Sequence, residues 1–368
     1  MRFSLRSLLI TTALLGISLG WLGNVFTHVR NQRQIARRIG ALGGTCAYDN
    51  LLSDRLSPVW ANLAKNVVDE DTFAHVVGVS FNFYRNDAVS DDDLALLASI
   101  PRLRFVDLCG PGITDNGLAH FTKLSQLKRL NLYETRVTAT GISESPIAML
   151  LEEFRLGGST VNDASLEQIG RLSNLRSLTI HRAPGITDAG MAHVANVGRL
   201  EVLEIHKTSI TDQGLAHLRG LRHLRELTLN SSTISDSGLN RLTELKELKR
   251  LSFQDTPISD LGIAELSKLH GVEEINLWST NVTDDGIPYL AGFRQLRRLN
   301  MFGTAVTDAG MRKLASLKTL EWLQVGPNVT FDEAKELQRS IPKCRVDVVD
   351  STNTIHHFYG LSKYGLSK

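Results

Sequence analysis

Apolar and polar positions along this chain recur with a fixed step. The phrase Ile113-Thr114-Asp115-Asn116-Gly117-Leu118 returns as Ile186-Thr187-Asp188-Ala189-Gly190-Met191 and as Ile210-Thr211-Asp212-Gln213-Gly214-Leu215. It recurs from Ile234, Ile258, Val282 and Val306, with weaker copies from Val89, Val137, Val161 and Val329. Consecutive anchors lie 24 residues apart, except for one step of 25 after Val161 and one of 23 after Val306. Ahead of each phrase stands L-x-x-L-x-L, as in Leu127-Lys128-Arg129-Leu130-Asn131-Leu132 and Leu224-Arg225-Glu226-Leu227-Thr228-Leu229. Its last three residues alternate apolar, polar, apolar, which predicts a half-buried strand. A turn follows, often carrying a Thr such as Thr135, Thr256, Thr280 or Thr304. The Thr/Ser-Asp pair then predicts a helix start, because side-chain oxygens there accept backbone N–H groups that have no partner within the helix. Apolar residues three apart, such as Leu118, Phe121 and Leu124, return the chain along a short helix.

A period of about 20–29 residues with these elements predicts a leucine-rich repeat solenoid: an α/β fold with a right-handed, curved parallel sheet and short outer helices. One unit cannot bury its apolar face alone, so neighbours must stack. About twelve rungs are expected. Ten begin at Leu103, Leu127, Leu151, Leu175, Leu200, Leu224, Leu248, Val272, Leu296 and Leu320, with irregular first and last rungs near 76–81 and 344–349.

The block L-x-x-L-x-L-x-x-T-x-I-T-D-x-G-L resembles the cysteine-containing leucine-rich repeats of F-box substrate receptors. In that family a Cys usually fills the turn where this chain has Thr. The resemblance covers roughly residues 76–349 and implies fold more than function. No F-box-like helical segment precedes the repeats, so a ubiquitin-ligase role does not carry over. The basic, apolar leader followed by Gly43-Gly44-Thr45-Cys46-Ala47-Tyr48-Asp49 resembles a group of membrane-anchored bacterial repeat proteins.

The net charge of +2 hides an uneven distribution. Arg2, Arg6, Arg30, Arg33, Arg37 and Arg38 stand among the first 48 residues, which hold no Asp or Glu. The remainder is slightly acidic, which argues against a nucleic-acid-binding repeat domain. Residues 8–26 carry no formal charge and are long enough as a helix to cross one hydrocarbon core, so a single-pass membrane anchor is expected there. Trp21 suits the membrane interface. A cleaved signal peptide is the competing reading, although no clean A-x-A site appears. Flanking Arg on both sides leave the orientation open. Gly16 and Gly20 form a G-x-x-x-G, a weak pointer to a homodimer. The predicted organisation is therefore an anchor over 1–27, then a basic linker helix and cap over 28–75, with Trp60 and Phe73 covering the first rung. Repeats follow over 76–349, and a disordered tail over 350–368 ends in two copies of Tyr-Gly-Leu-Ser-Lys.

Candidate chemistry is sparse. Cys46, Cys109 and Cys344 show neither disulfide nor metal-ligand spacing. No phosphate loop, H-E-x-x-H or G-x-S-x-G occurs, so neither catalytic residues nor a cofactor is expected, and an enzyme is not predicted. The column Asp115, Asp188, Asp212, Asp236, Asp260, Asp284 and Asp308 is assigned to helix starts, since a role repeated on every rung serves the scaffold. Positions that the scaffold leaves free are those that differ between rungs. On the concave face just after L-x-L these include Tyr133, His181, His206, Asn230, Gln254, Trp278 and Phe302. They form the expected partner-binding strip, because aromatic residues dominate protein-binding hot spots. His181 and His206 occupy matching positions on adjacent rungs, but no third ligand is evident, so no metal is predicted. The functional expectation is a membrane-tethered module that binds a protein partner, or a surface polymer, through its concave face. The alternative is a structural or scaffolding envelope protein without a dedicated ligand.

Overall fold

The computed structural model describes residue 27 and residues 30–49, 75–81 and 89–358. The 8–26 stretch, Gly16 and Gly20, Trp60, Phe73 and the terminal tandem lie outside the described residues. Among the described residues no helix is long and apolar enough to cross a membrane.

The strands are β1 (Gly44–Asp49), β2 (His75–Phe81), β3 (Phe105–Cys109), β4 (Arg129–Tyr133), β5 (Glu153–Gly157), β6 (Ser177–His181) and β7 (Val202–His206). They continue as β8 (Glu226–Asn230), β9 (Arg250–Ser252), β10 (Glu274–Asn276), β11 (Arg298–Met301), β12 (Trp322–Val325), β13 (Arg345–Val349) and β14 (Ile355–Phe358). All fourteen form one sheet in chain order. From β2 to β13 every pairing is parallel, whereas β1 and β14 pair antiparallel at the two ends. The parallel run thus holds twelve rungs, and the solenoid read from the repeat is a leucine-rich repeat architecture.

Register follows from alternation. Leu130, Phe154, Leu178, Leu203, Leu227, Leu251, Ile275, Leu299 and Leu323 are Cα partners in succession, and all are buried. A slip of one residue would turn this ladder out to water. Burying each such side chain stabilises the stack by about 1.5–3 kcal/mol. Shortly after each strand from β3 to β11 one residue turns left-handed: Gly110, Glu134, Gly158, Arg182, Lys207, Ser231, Asp255, Ser279 and Gly303. None is β-branched, as that conformation requires. Buried Thr256, Thr280 and Thr304 then donate their hydroxyls to the carbonyls of Phe253, Leu277 and Met301 at 2.5–2.7 Å. These bonds satisfy polar groups that the tight turn takes away from water.

Thr and Asp divide their work at the helix starts. The Thr or Ser at most of these starts caps its own helix, though Ser235 does not: Thr187 accepts the N–H of Ala189, and Thr307 that of Ala309. The Asp is the first helical residue in seven of these repeats, while Asp212 and Asp284 stand in a turn ahead of a 3-10 helix; in each case the carboxylate reaches the next repeat. One oxygen accepts the N–H of the following cap residue at 2.7–2.8 Å, and the other accepts its hydroxyl at 2.5–3.0 Å. The pairs are Asp91–Thr114, Asp115–Thr138, Asp163–Thr187, Asp188–Thr211, Asp212–Ser235, Asp236–Ser259, Asp260–Thr283, Asp284–Thr307 and Asp308–Thr330. The column expected to serve each repeat's own helix therefore clamps neighbouring repeats together.

This clamp explains the Gly of the repeated phrase. A Cβ on Gly117, Gly141, Gly190, Gly214, Gly238, Gly262, Gly286 or Gly310 would lie 2.0–2.5 Å from the Oδ1 of the preceding repeat's Asp. One junction breaks the rule and supplies its control. Ala139 replaces the Asp, and the next repeat carries Asn162 and Ser165 where the other internal copies, from Ile113 to Val306, have Thr/Ser and Gly. With no incoming carboxylate, Asn162 and Ser165 close a local capping box instead.

At the amino end the helix over residues 30–41 inserts Ile39 into the core, and Gln32 Oε1 accepts the N–H of Val76 at 2.8 Å. At the carboxyl end, a disordered tail was expected from Asp350. Residues 350–354 instead make a turn into β14. The Asp350 carboxylate organises that turn, accepting the N–H groups of Thr352 and Thr354 and pairing with His356.

Candidate functional site

Side chains at alternate strand positions stand on the open face of the sheet, in three columns that run across the rungs. At strand starts much of the column is charged and self-paired, interrupted by Ser177 and Val202. Arg129 faces Glu153, Glu226 pairs with Arg250, and Glu274 with Arg298. Arg129 also lies over the Phe105 ring at 4.3 Å, and Arg298 over Trp322 at 4.9 Å. Exposed pairs of this kind contribute at most about 1 kcal/mol each, so their role is to satisfy one border of the face rather than to hold the fold.

The middle column is mostly polar. Asn276 and Asn300 turn their Oδ1 atoms back to the N–H groups of Trp278 and Phe302 at 3.1 and 2.9 Å. Asn230 accepts from Ser252 Oγ and from the Gln254 N–H, both at 2.9 Å. Asn230, a member of the expected strip, is thus tied into the scaffold, whereas the Gln254 side-chain amide donates to the adjacent Asp255 at 3.1 Å. Near the carboxyl end, buried Asp347 accepts from Trp322 Nε1, Arg345 and His357. Burial works to raise its pKa, but these donors and the Arg345 charge hold it below the usual carboxylate range.

The remaining strip residues form two aromatic groups. Trp278 and Phe302 pack with ring centroids 5.6 Å apart, and Trp278 stays 38 % exposed. Tyr133 meets His181 edge-on at 6.2 Å, and His181 stacks on His206 at 4.3 Å with planes 10° apart. Gly157, on the rung between Tyr133 and His181, is what lets these two approach. A Cβ there would lie 2.4 Å from the His181 carbonyl and 3.0 Å from the Tyr133 ring. The gap opens a depression of about 270 Å³ lined by Asn131, Tyr133, Arg155, Leu156 and His181.

Glu204 joins the histidines. It precedes His206 by two residues on β7, so both side chains share a face, and Thr179 donates to its carboxylate at 3.1 Å. One donor atom each from His181, Glu204 and His206 falls within 4.8 Å of the others. The sequence shows no third ligand because Glu204 and His181 are linked only by the register of β6 on β7. A signal did exist: Glu204 is an acidic residue between Thr179 and Thr228 in its column. Burial, and then the His181 beside it, push the His206 pKa down to about 4, while Glu204 works the other way. Burial also lowers His181, opposed by Glu204 and assisted by Arg155 and Arg182. Both rings are therefore neutral near pH 7.

The Leucine Rich repeat family model matches residues 220–242 and 294–315. No curated protein matches the chain. Among solved structures, an internalin, InlF, of Listeria monocytogenes superposes with a TM-score of 0.50 at 18% identity, over 73% of this chain and 91% of that one. Internalin C2 of the same organism is 21% identical over 65% of this chain and 85% of its own, with a TM-score of 0.41. The family match over two repeats and the first superposition agree with the strand register: the chain has a leucine-rich repeat fold.

Proposed function

We propose that the chain is a membrane-tethered interaction module that receives a protein partner on the concave face of its solenoid. The observation that carries this reading is the placement of Tyr133, His181, His206, Trp278 and Phe302. All five stand in one column at strand ends, on the face the core does not use, and Trp278 is 38 % exposed. Large rings offer much contact area for little conformational entropy, which is why Trp and Tyr anchor protein interfaces. The paired charges at strand starts supply a polar rim. Tethering is supported by the uncharged stretch at 8–26 followed by Arg30, Arg33, Arg37 and Arg38.

Affinity capture with the triple variant Tyr133→Ala, Trp278→Ala, Phe302→Ala tests the strip. Loss of a partner that the wild-type chain retains, with unchanged circular dichroism, is the expected result; equal capture overturns it. Crosslinking in cells separates this reading from a scaffold. One dominant heterologous partner supports it, and exclusive self-contacts favour a structural envelope role. Retention in the membrane fraction after alkaline extraction, lost on deleting residues 1–27, tests the anchor.

A further inference from the structure

His181, Glu204 and His206 are arranged as an open cation site. Glu204 and His206 lie two apart on β7, and His181 is the cross-strand Cα partner of His206. Such a triangle of side chains on one sheet face converges on a point above the strands. Two features separate it from an ordinary surface cluster. Among the described residues, neither imidazole takes part in a hydrogen bond, although both are half-buried. Glu204, by contrast, is steadied by Thr179, as carboxylate ligands usually are by a neighbouring donor.

We propose that His181, Glu204 and His206 bind a borderline divalent cation of the zinc class, with a fourth position left for an oxygen ligand. Two imidazoles and one carboxylate are a donor set that zinc accepts, and three protein ligands with one open position is its usual non-structural arrangement. Bonds of about 2.0–2.2 Å require donors roughly 3.3 Å apart, so the side chains must draw in by roughly 1 Å and turn the stacked rings toward a common centre. Side-chain rotation suffices, because the strands already fix the Cα positions. Hard cations such as magnesium fit poorly, since they prefer an all-oxygen shell. Arg155 and Arg182 lie near enough to act on His181 through their charge. They oppose a bare cation and favour an anionic fourth ligand, such as a carboxylate reaching into the depression beside Tyr133.

The test uses the untagged full-length chain, stripped by chelation and titrated with Co²⁺ alone and then with Zn²⁺ alone. The expected result is one equivalent of Co²⁺ with strong visible absorption, displaced by one equivalent of Zn²⁺. Glu204→Gln should weaken Zn²⁺ binding at least tenfold, and His181→Asn or His206→Asn at least a hundredfold. Thermal melts without metal check folding, and Glu204→Gln keeps an acceptor for Thr179, so that variant decides if a His variant does not fold. Absence of saturable binding by the wild-type chain, or binding equally tight in Glu204→Gln and the His variants, overturns the site. Partner capture by metal-stripped protein is read separately, so failure of this site leaves the strip hypothesis intact.

Discussion

Asp188 binds Thr211 through both carboxylate oxygens, at 2.8 Å to its N–H and 2.6 Å to its hydroxyl, across 23 residues of chain. The Gly214 N–H adds a third bond at 2.9 Å. A carboxylate that satisfies three donors of the next repeat holds the junction in register. Its relatives Asp212 and Asp284 feel burial, which raises their pKa, but hydrogen bonds from the next repeat outweigh it and leave both below the usual carboxylate range.

Removing that carboxylate should loosen the stack. Asp188→Ala is expected to cost about 1–3 kcal/mol, because it leaves the Thr211 and Gly214 donors without their acceptor. Gly214→Ala should also destabilise, by driving a methyl into Asp188. The double variant should be about 1 kcal/mol more stable than the sum of the two effects, since the clash disappears with the carboxylate. Urea unfolding of the four proteins checks this, and strict additivity would refute the steric pairing.

The irregular junction invites the reverse change. Ala139→Asp with Asn162→Thr and Ser165→Gly rebuilds the clamp at its one interruption. A gain of about 0.5–1.5 kcal/mol is expected for the triple variant. Ala139→Asp alone should give no gain, because the Ser165 side chain occupies the space that the carboxylate needs.

Acid should weaken the fold before ordinary carboxylates titrate. His206 is depressed from 6.5 to about 4 by burial and by His181, while Glu204 opposes the shift. Unfolding restores its ordinary value, so in that window the unfolded chain binds a proton that the folded chain does not. This contribution is fully present above about 6.5 and is lost as pH falls toward 4. His181 acts in the same sense, with Arg155 and Arg182 adding to its burial and Glu204 opposing. Denaturation midpoints between about pH 7 and about pH 5 should fall, and His206→Asn should flatten the slope. An unchanged slope in the variant would locate the acid sensitivity elsewhere.

Cys344 should be inert. Burial, and then the Asp347 charge, push its thiol up to about 12, and the residue is fully buried in the core just ahead of β13. Iodoacetamide followed by peptide mass mapping should label Cys344 only in denaturant. Labelling in the native state would mean that the carboxyl-terminal cap opens readily.

Features carried by one repeat were legible in the sequence. Leu130 and Leu132 announce a strand, Thr187 announces a cap, and the 24-residue step places the twelve rungs. Features made between repeats were not. Asp188 and Gly214 look like two members of unrelated columns until stacking puts a carboxylate where a methyl would go. Glu204 became a companion of His181 only through the register of β6 on β7. Asn230 looked free for a partner, yet its side chain accepts lateral bonds from Ser252 and from the Gln254 N–H. β14 was missed because its four residues, Ile355-His356-His357-Phe358, do not alternate apolar with polar, and its order comes from the Asp350 turn and from pairing with β13.

The antiparallel strands at the two ends bear on how such a molecule stays finite. Rungs that mate front to back through the same contacts are the units of a one-dimensional crystal, and nothing within a rung says where growth should stop. Two exposed parallel ends would let one copy nucleate on another and extend into a filament. β1 and β14 reverse the strand direction at both ends, so neither presents the lattice that the next copy would need. Among the described residues, the same reversal closes both edges of the parallel run, so its length there is set by topology rather than by the supply of repeats.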